Sequence, residues 1–208
     1  THAEVLSRST PPRVVPAADI PASVMARLTA PRPAMAGLTL DRPRIMGILN
    51  TTPDSFSDGG QHNAVPDALR VAQEMVAAGA DILDIGGEST RPGADFVPVS
   101  EEITRTAPVI AALRGAGLHT PISIDTRKAA VAEAAVSAGA NLVNDVSGFT
   151  FDPALGPLCQ KLALPVCVMH AQGDPATMHL DPQYDNVLLD VFDALERQIS
   201  MLEASGIP

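Results

Sequence analysis

Six polar residues, Asn50, Asp84, Asp125, Asn144, Asp145 and His170, each stand at or near the C-terminal end of a short apolar run. A carboxylate within such a run is costly to bury unless something donates to it. Asp84 in Asp81–Gly87 (DILDIGG) and Asp125 in Pro121–Thr126 (PISIDT) are the clearest cases. Carboxylates and an amide carbonyl are hydrogen-bond acceptors, and an aminopyrimidine ring presents several N–H donors in a row. The same carboxylates could instead cap helices or pair with Arg91 and Arg127, so their placement alone leaves both uses open.

Two loops follow the first two runs. Asn50–Gly60 (NTTPDSFSDGG) has the Pro53 and Gly59-Gly60 of ordinary turn material, together with Asp54, Asp58, hydroxyl residues and a lone Phe56. An aromatic ring in so polar a loop suits stacking on a ligand or covering it. Gly86–Gly93 (GGESTRPG) opens with two glycines that let backbone approach a ligand closely. Glu88, Ser89, Thr90 and Arg91 supply polar groups of both signs there. Taken singly, Glu88 is a helix cap or solvated charge and Arg91 a surface ion-pair residue. Together on one glycine-rich loop they suit an anionic or polar ligand.

The elements that must position these groups alternate. Arg44–Asn50, Asp81–Gly87, Pro121–Thr126, Asn141–Ser147 and Pro165–His170 are short aliphatic runs that read as buried parallel strands. Helical spacing fills Pro66–Ala78, Glu101–Arg114, Lys128–Ala138, Pro153–Leu162 and Asn186–Ala204, with Gly79, Gly115, Gly139 and Gly206 as stops. Strict alternation admits a doubly wound sheet or a (β/α)8 barrel. A doubly wound sheet gathers ligands only at its switch point, whereas a barrel brings every strand end to one mouth. Polar residues at the ends of all five runs favour the barrel. Such a barrel usually takes about 250 residues. The 208 residues here are therefore expected to hold about five βα units, with the C-terminal units absent.

Residues 1–36 differ, with prolines at 11, 12, 16, 21, 31 and 33. A loose extension with a short helix near Ala22–Leu28 is expected, followed by the barrel over 37–208. Aliphatic residues dominate and aromatics are only 3%, which suits helices packed on parallel strands. The net charge of −10 argues against a broad nucleic-acid or membrane-surface footprint. No apolar run reaches the roughly 20 residues of a membrane helix, nor does the N-terminus read as a secretory signal. Cys159 and Cys167 have no metal-site spacing and read as buried, reduced thiols of a cytoplasmic protein.

In order along the chain, GILNTTPDSFSDGG, DILDIGGESTRPG, SIDT, NLVNDVSG and PVCVMHAQGDPATM resemble the dihydropteroate synthase family. SIDT alone is weak, but the two long loops occurring together are specific. The similarity runs from about Leu38 to Pro208, with NTT in the first loop where NVT is common. The resemblance implies a (β/α)8 barrel, a folate-pathway transferase and a sulfonamide target. The implied reaction displaces pyrophosphate from 6-hydroxymethyl-7,8-dihydropterin pyrophosphate with the amine of p-aminobenzoate, in the presence of Mg²⁺. It further implies Asp125 and Asn144 as pterin ligands, Val146 and Met169 as residues packing on the ring, and Asp84 as the polar floor. Asn50 would make the Mg²⁺–pyrophosphate contact. Phe56, Thr90 and Pro92 would shape the p-aminobenzoate pocket, and Asp58 and Arg91 would act in catalysis by stabilising the closed loops. A homodimer is compatible with the resemblance.

The family's remaining Asp, Lys, Arg and His ligands have no counterparts in this sequence. Two alternatives follow. One is a methyltetrahydrofolate-binding methyltransferase domain, which has no use for the two long loops. The other is a non-catalytic or degenerate pterin-binding barrel.

Overall fold

The computed structural model describes residues 2–52, 64–89, 95–173, 177 and 180–207. At its centre, five parallel strands lie in sequence order: β3 (Met46–Asn50), β4 (Ile82–Gly86), β5 (Ile122–Asp125), β6 (Leu142–Asp145) and β7 (Val166–Val168). A doubly wound sheet reverses its strand order at the switch point. Here the order never reverses, as in an arc of a barrel. All five lie within the runs that the sequence marks as strands, each one or more residues shorter.

Between them run α2 (Ala64–Ala77), α3 (Val99–Gly115), α4 (Ala129–Ala138) and α5 (Leu155–Leu162), and α6 (Val187–Ala204) follows β7. Leu83, Ile85, Ile124 and Val143 point from the sheet into a core with Ala68, Ala72, Ile110, Leu113, Val131, Ala135, Leu155 and Cys159 of the helices. Side chains on a strand alternate between faces. The opposite face therefore carries Ile48, Asn50, Asp84, Ser123, Asp125, Leu142, Asn144 and Cys167. This is the face that a barrel turns inward. On it Ile48 keeps 61% of its surface, whereas Asp84, Ser123 and Leu142 are buried.

The opening segment is more ordered than its composition predicts. β1 (His2–Val5) and β2 (Arg13–Pro16) form an antiparallel hairpin, with His2 opposite Pro16 and Val5 opposite Arg13. Pro11 and Pro12 fall in the connection, and Pro16 at a strand end, where a missing N–H does no harm. A short 3₁₀ turn at Ala17–Asp19 leads to α1 (Ala22–Thr29), the helix expected near Ala22–Leu28. Arg8 in the hairpin connection donates to Asp190 and Asp193 of α6 at 2.7 and 2.6 Å. Proline density signals the breaks correctly but says nothing about this long-range anchor.

Candidate active site

Parallel pairing sets one row of residues across the sheet: Asn50 beside Gly86, Gly86 beside Asp125, Asp125 beside Asn144, and Asn144 beside Cys167. Gly86 is the gap in this row. A Cβ placed there would lie 3.5 Å from Asp125 Oδ2 and 3.7 Å from Asn50 Oδ1. The amide of Asn50 and the carboxylate of Asp125 thus flank a glycine with no side chain of its own. One step deeper, Asp84 Oδ2 accepts a hydrogen bond from Asn144 Nδ2 at 3.1 Å, reaching past the intervening β5. Asn50, Asp84, Asp125 and Asn144 therefore converge on one face, as their positions at strand ends predict.

The electrostatics of this group are unusual. Asp84 is buried, and its Oδ1 has no hydrogen-bond partner among the described residues. Burial pushes its acidity constant above the ordinary carboxylate value, against the opposing influence of the nearby Ser123 hydroxyl and the Asn144 amide. Asp125 is pushed up to about 7, first by burial and then by the nearby negative charge of Asp84, Glu102, Asp145 and Glu88. Asp125 is half-buried, and among the described residues no side-chain hydrogen bond reaches its carboxylate. Buried acceptors without donors are rare and ask for an explanation. A ligand bringing two or more N–H groups would satisfy both carboxylates at once.

Other residues singled out by the sequence take different roles. Asp145 faces away from the row and is fully engaged, accepting from Ser147 N and Oγ and from Phe149 N at 2.7 Å each. It holds the turn after β6. His170 lies beyond β7 and pairs with the Tyr184 hydroxyl at 3.1 Å. It lines a separate polar cavity of about 730 Å³ with Arg8, Gln172, Gln183 and Arg197, away from the acceptor row. Cys159 is buried as expected, whereas Cys167, on the face of β7 turned away from the helices, is exposed. Val146 is half-buried directly after β6, and Met169 is partly exposed directly after β7. Phe56, Asp58, Thr90, Arg91 and Pro92 lie outside the described residues.

Glu88 is neither a cap nor a solvated charge. It accepts from Val97 N at 3.0 Å, pairs with Arg127 Nε at 3.2 Å, and meets Lys128 Nζ at 3.1 Å. Lys128, which the sequence marks only as a helix start, is 2% exposed and donates to Glu102 Oε2 and Val97 O at 2.6 Å each. One signal for this buried cluster is present in the sequence. Glu102 shares the helical stripe of Thr106, Val109, Ile110 and Leu113, all buried, and a glutamate on a buried stripe requires a cation.

A family model described as pterin binding enzyme matches residues 46–208. The chain belongs to the pterin-binding enzyme family. Among its relatives in this family is the dihydropteroate synthase of Synechocystis sp., 45% identical over 160 residues that make up 77% of this chain and 55% of the relative. The chain therefore spans about half the length of that pterin-binding relative. The solved structure of Xanthomonas albilineans dihydropteroate synthase with 4-aminobenzoic acid superposes with a TM-score of 0.77 at 47% identity, covering 86% of this chain and 64% of that one. The Clostridium difficile dihydropteroate synthase, solved in the presence of pteroic acid, gives 0.73 at 44% identity, covering 81% and 61%. The five βα units are accordingly those of an incomplete (β/α)8 barrel of the pterin-binding type.

Proposed function

We propose that this chain supplies the pterin-binding part of a dihydropteroate synthase. The observation that carries the reading is the set of acceptors Asp84, Asp125 and Asn144 on one sheet face beside a glycine, with Asp84 Oδ1 buried and without a donor among the described residues. Its shape suits a flat aminopyrimidine ring that brings its own N–H donors. The related proteins solved with pteroic acid and with 4-aminobenzoic acid support the same ligand class.

In the proposed reaction the C–O bond between the pterin methylene and pyrophosphate breaks, and a C–N bond forms to the amine of p-aminobenzoate. Pyrophosphate leaves with the electron pair, and the amine loses a proton to solvent. This chain's contribution is orientation. Asp125 and the carbonyl of Asn144 accept from the ring edge, and Asp84 fixes the Asn144 amide so that its carbonyl faces the ligand. Val146 and Met169 supply apolar contact for the ring faces. Phe56, Thr90 and Pro92, with Asp58 and Arg91, are assigned to p-aminobenzoate by family resemblance.

Mg²⁺ is part of the proposal. Among the described residues no three His, Cys, Asp or Glu side chains gather to hold a metal. Mg²⁺ keeps several waters and takes few protein oxygens beside substrate phosphates, and an amide oxygen is a suitable hard donor. Asn50 Oδ1, exposed at the end of β3, would be the protein oxygen. When bound, the ion would stabilise charge on the departing pyrophosphate.

The test is formation of dihydropteroate from the pterin pyrophosphate and p-aminobenzoate by the full reading frame containing this chain, with a pteroic acid titration alongside. Turnover that requires Mg²⁺ and is lost in Asp125→Ala is the expected result. Pteroic acid binding without any turnover would leave a non-catalytic pterin-binding barrel instead.

A further inference from the structure

The buried charges around Lys128 lie next to the acceptor row but do not belong to it. Glu88, Glu102, Arg127 and Lys128 form a neutral set of two anions and two cations, with side-chain exposures of 6, 0, 11 and 2%. Aromatic rings enclose the cations. Lys128 Nζ is 4.5 Å from the centre of the Phe96 ring, and the Arg127 guanidinium is 4.0 Å from that of Phe151. Buried ion pairs are poor sources of net stability, because desolvation offsets their attraction. A set that leaves Glu102 Oε1 without a partner among the described residues is a still weaker one. Its position suggests what it does instead.

The last backbone pair between β4 and β5 joins Gly86 to Asp125. Beyond it, among the described residues, the two strands have no ladder to hold them together. On the outer sides, Thr51 N and Oγ1 donate to Gly86 O at 2.8 and 3.0 Å, and Thr126 N donates to Asn144 O at 3.0 Å. Between the two ends, side chains make a connection. Glu88, two residues after Gly86, grips Arg127 and Lys128, two and three residues after Asp125. Lys128 carries the link on to Val97 and Glu102, at the start of α3. Gly87 sits within this knot: a Cβ there would come within 2.8 Å of Thr106 Cγ2 and 3.0 Å of Glu102 Cγ. Arg105 also donates to Gly87 O at 2.8 Å.

We propose that Glu88, Glu102 and Lys128 are positioning residues for Asp125: they lock the ends of β4 and β5 at a fixed separation and so hold the Asp125 carboxylate beside the gap at Gly86. The inference rests on the pterin-binding reading and deepens it, because it says how the acceptor is aimed. A small displacement of an acceptor costs a disproportionate amount of ligand recognition. Loosening the knot therefore weakens pterin binding without touching a ligand contact.

The test uses the full reading frame and the double variant Lys128→Met/Glu102→Gln. This variant removes one charge of each sign, keeps side-chain volume, and leaves Glu88 paired with Arg127. A second variant, Glu88→Gln, keeps an acceptor for Val97 N and removes only the charge. Both are titrated with pteroic acid and assayed for the KM of the pterin substrate and for kcat. The expected result is an affinity for pteroic acid about tenfold weaker in the double variant, with pterin KM raised in parallel and kcat at saturation retained. Glu88→Gln should fall between it and the unmodified protein. A purely structural cluster would lower kcat by reducing the folded fraction while leaving KM and the affinity of the folded molecules unchanged, and that result overturns the inference. If the double variant does not fold, unchanged affinity in Glu88→Gln overturns it equally. Failure of the unmodified protein to bind pteroic acid would instead remove the pterin reading, and the inference with it.

Discussion

The Asn144 amide donates to the Asp84 carboxylate from two strands away, and this bond decides which end of the Asn144 side chain is offered to a ligand. With Nδ2 committed to Asp84, the carbonyl oxygen is the free end. An acceptor from β6 and a carboxylate from β5 then stand side by side in one register row.

Asn144→Ala and Asp125→Ala each take away one acceptor for the ring donors. Each should weaken pteroic acid binding by about 1–3 kcal/mol. Titration of folded variants measures this, and unchanged affinity in both would remove the pterin assignment from the row.

The two neighbouring glycines should separate binding from folding. At Gly86 an added methyl meets ordinary contact distances, the nearest being 3.5 Å, and enters the space between Asn50 and Asp125. At Gly87 it meets Thr106 Cγ2 at 2.8 Å and the Glu102 backbone oxygen at 3.2 Å. Gly86→Ala should therefore fold normally and bind pteroic acid poorly. Gly87→Ala should lose roughly 1–3 kcal/mol of stability, as overpacking does. Urea unfolding and ligand titration on both proteins give the comparison, and an equal loss of stability in the two would contradict it.

Asp125 makes the native state sensitive to pH in an uncommon direction. Its value of about 7 in the folded protein lies above the roughly 3.9 of an unfolded chain. The native state thus holds this proton more tightly than the unfolded one does. The associated stability is fully present below about pH 4 and is lost as pH rises through about 7. Asp125→Asn abolishes this dependence and should be more stable than the unmodified protein at pH 8, by roughly 2–4 kcal/mol. Thermal unfolding at pH 5 and pH 8 tests it, and a stability difference that does not grow with pH would refute it.

Lys128→Met alone leaves Glu102 buried without its cation. A loss of about 3–5 kcal/mol is expected, with most of it recovered when Glu102→Gln is added. The double-mutant cycle in urea reads this coupling directly. Additive effects of the two substitutions would show that the pair acts independently.

The order of the strands and the convergence of four polar side chains could be read from Asn50, Asp84, Asp125 and Asn144, because strand position alone sends them to one end of a barrel. Which of them contact each other could not. The Asp84–Asn144 bond depends on sheet curvature, which no local pattern encodes. Asp145 illustrates the limit of the strand-end argument. It adjoins Asn144, but the two-residue period of a strand turns it to the opposite face, where Ser147 and Phe149 occupy it. The burial of Lys128 is not legible locally, because a lysine at a helix start is ordinarily solvated and its partner Glu102 is 26 positions away. The anchoring of the β1–β2 hairpin to α6 is not legible for a similar reason, since Arg8 lies more than 180 positions from Asp190 and Asp193.

The order in which the chain leaves the ribosome gives the Asp84–Asn144 contact a further meaning. Each strand of the main sheet pairs with the one made just before it, so the scaffold can grow unit by unit as it emerges. The acceptor row cannot. Asp84 lies 60 positions ahead of Asn144, so a nascent chain that has reached only β5 has yet to make the amide that donates to Asp84. The Asn144 amide can reach Asp84 only once β6 has been made.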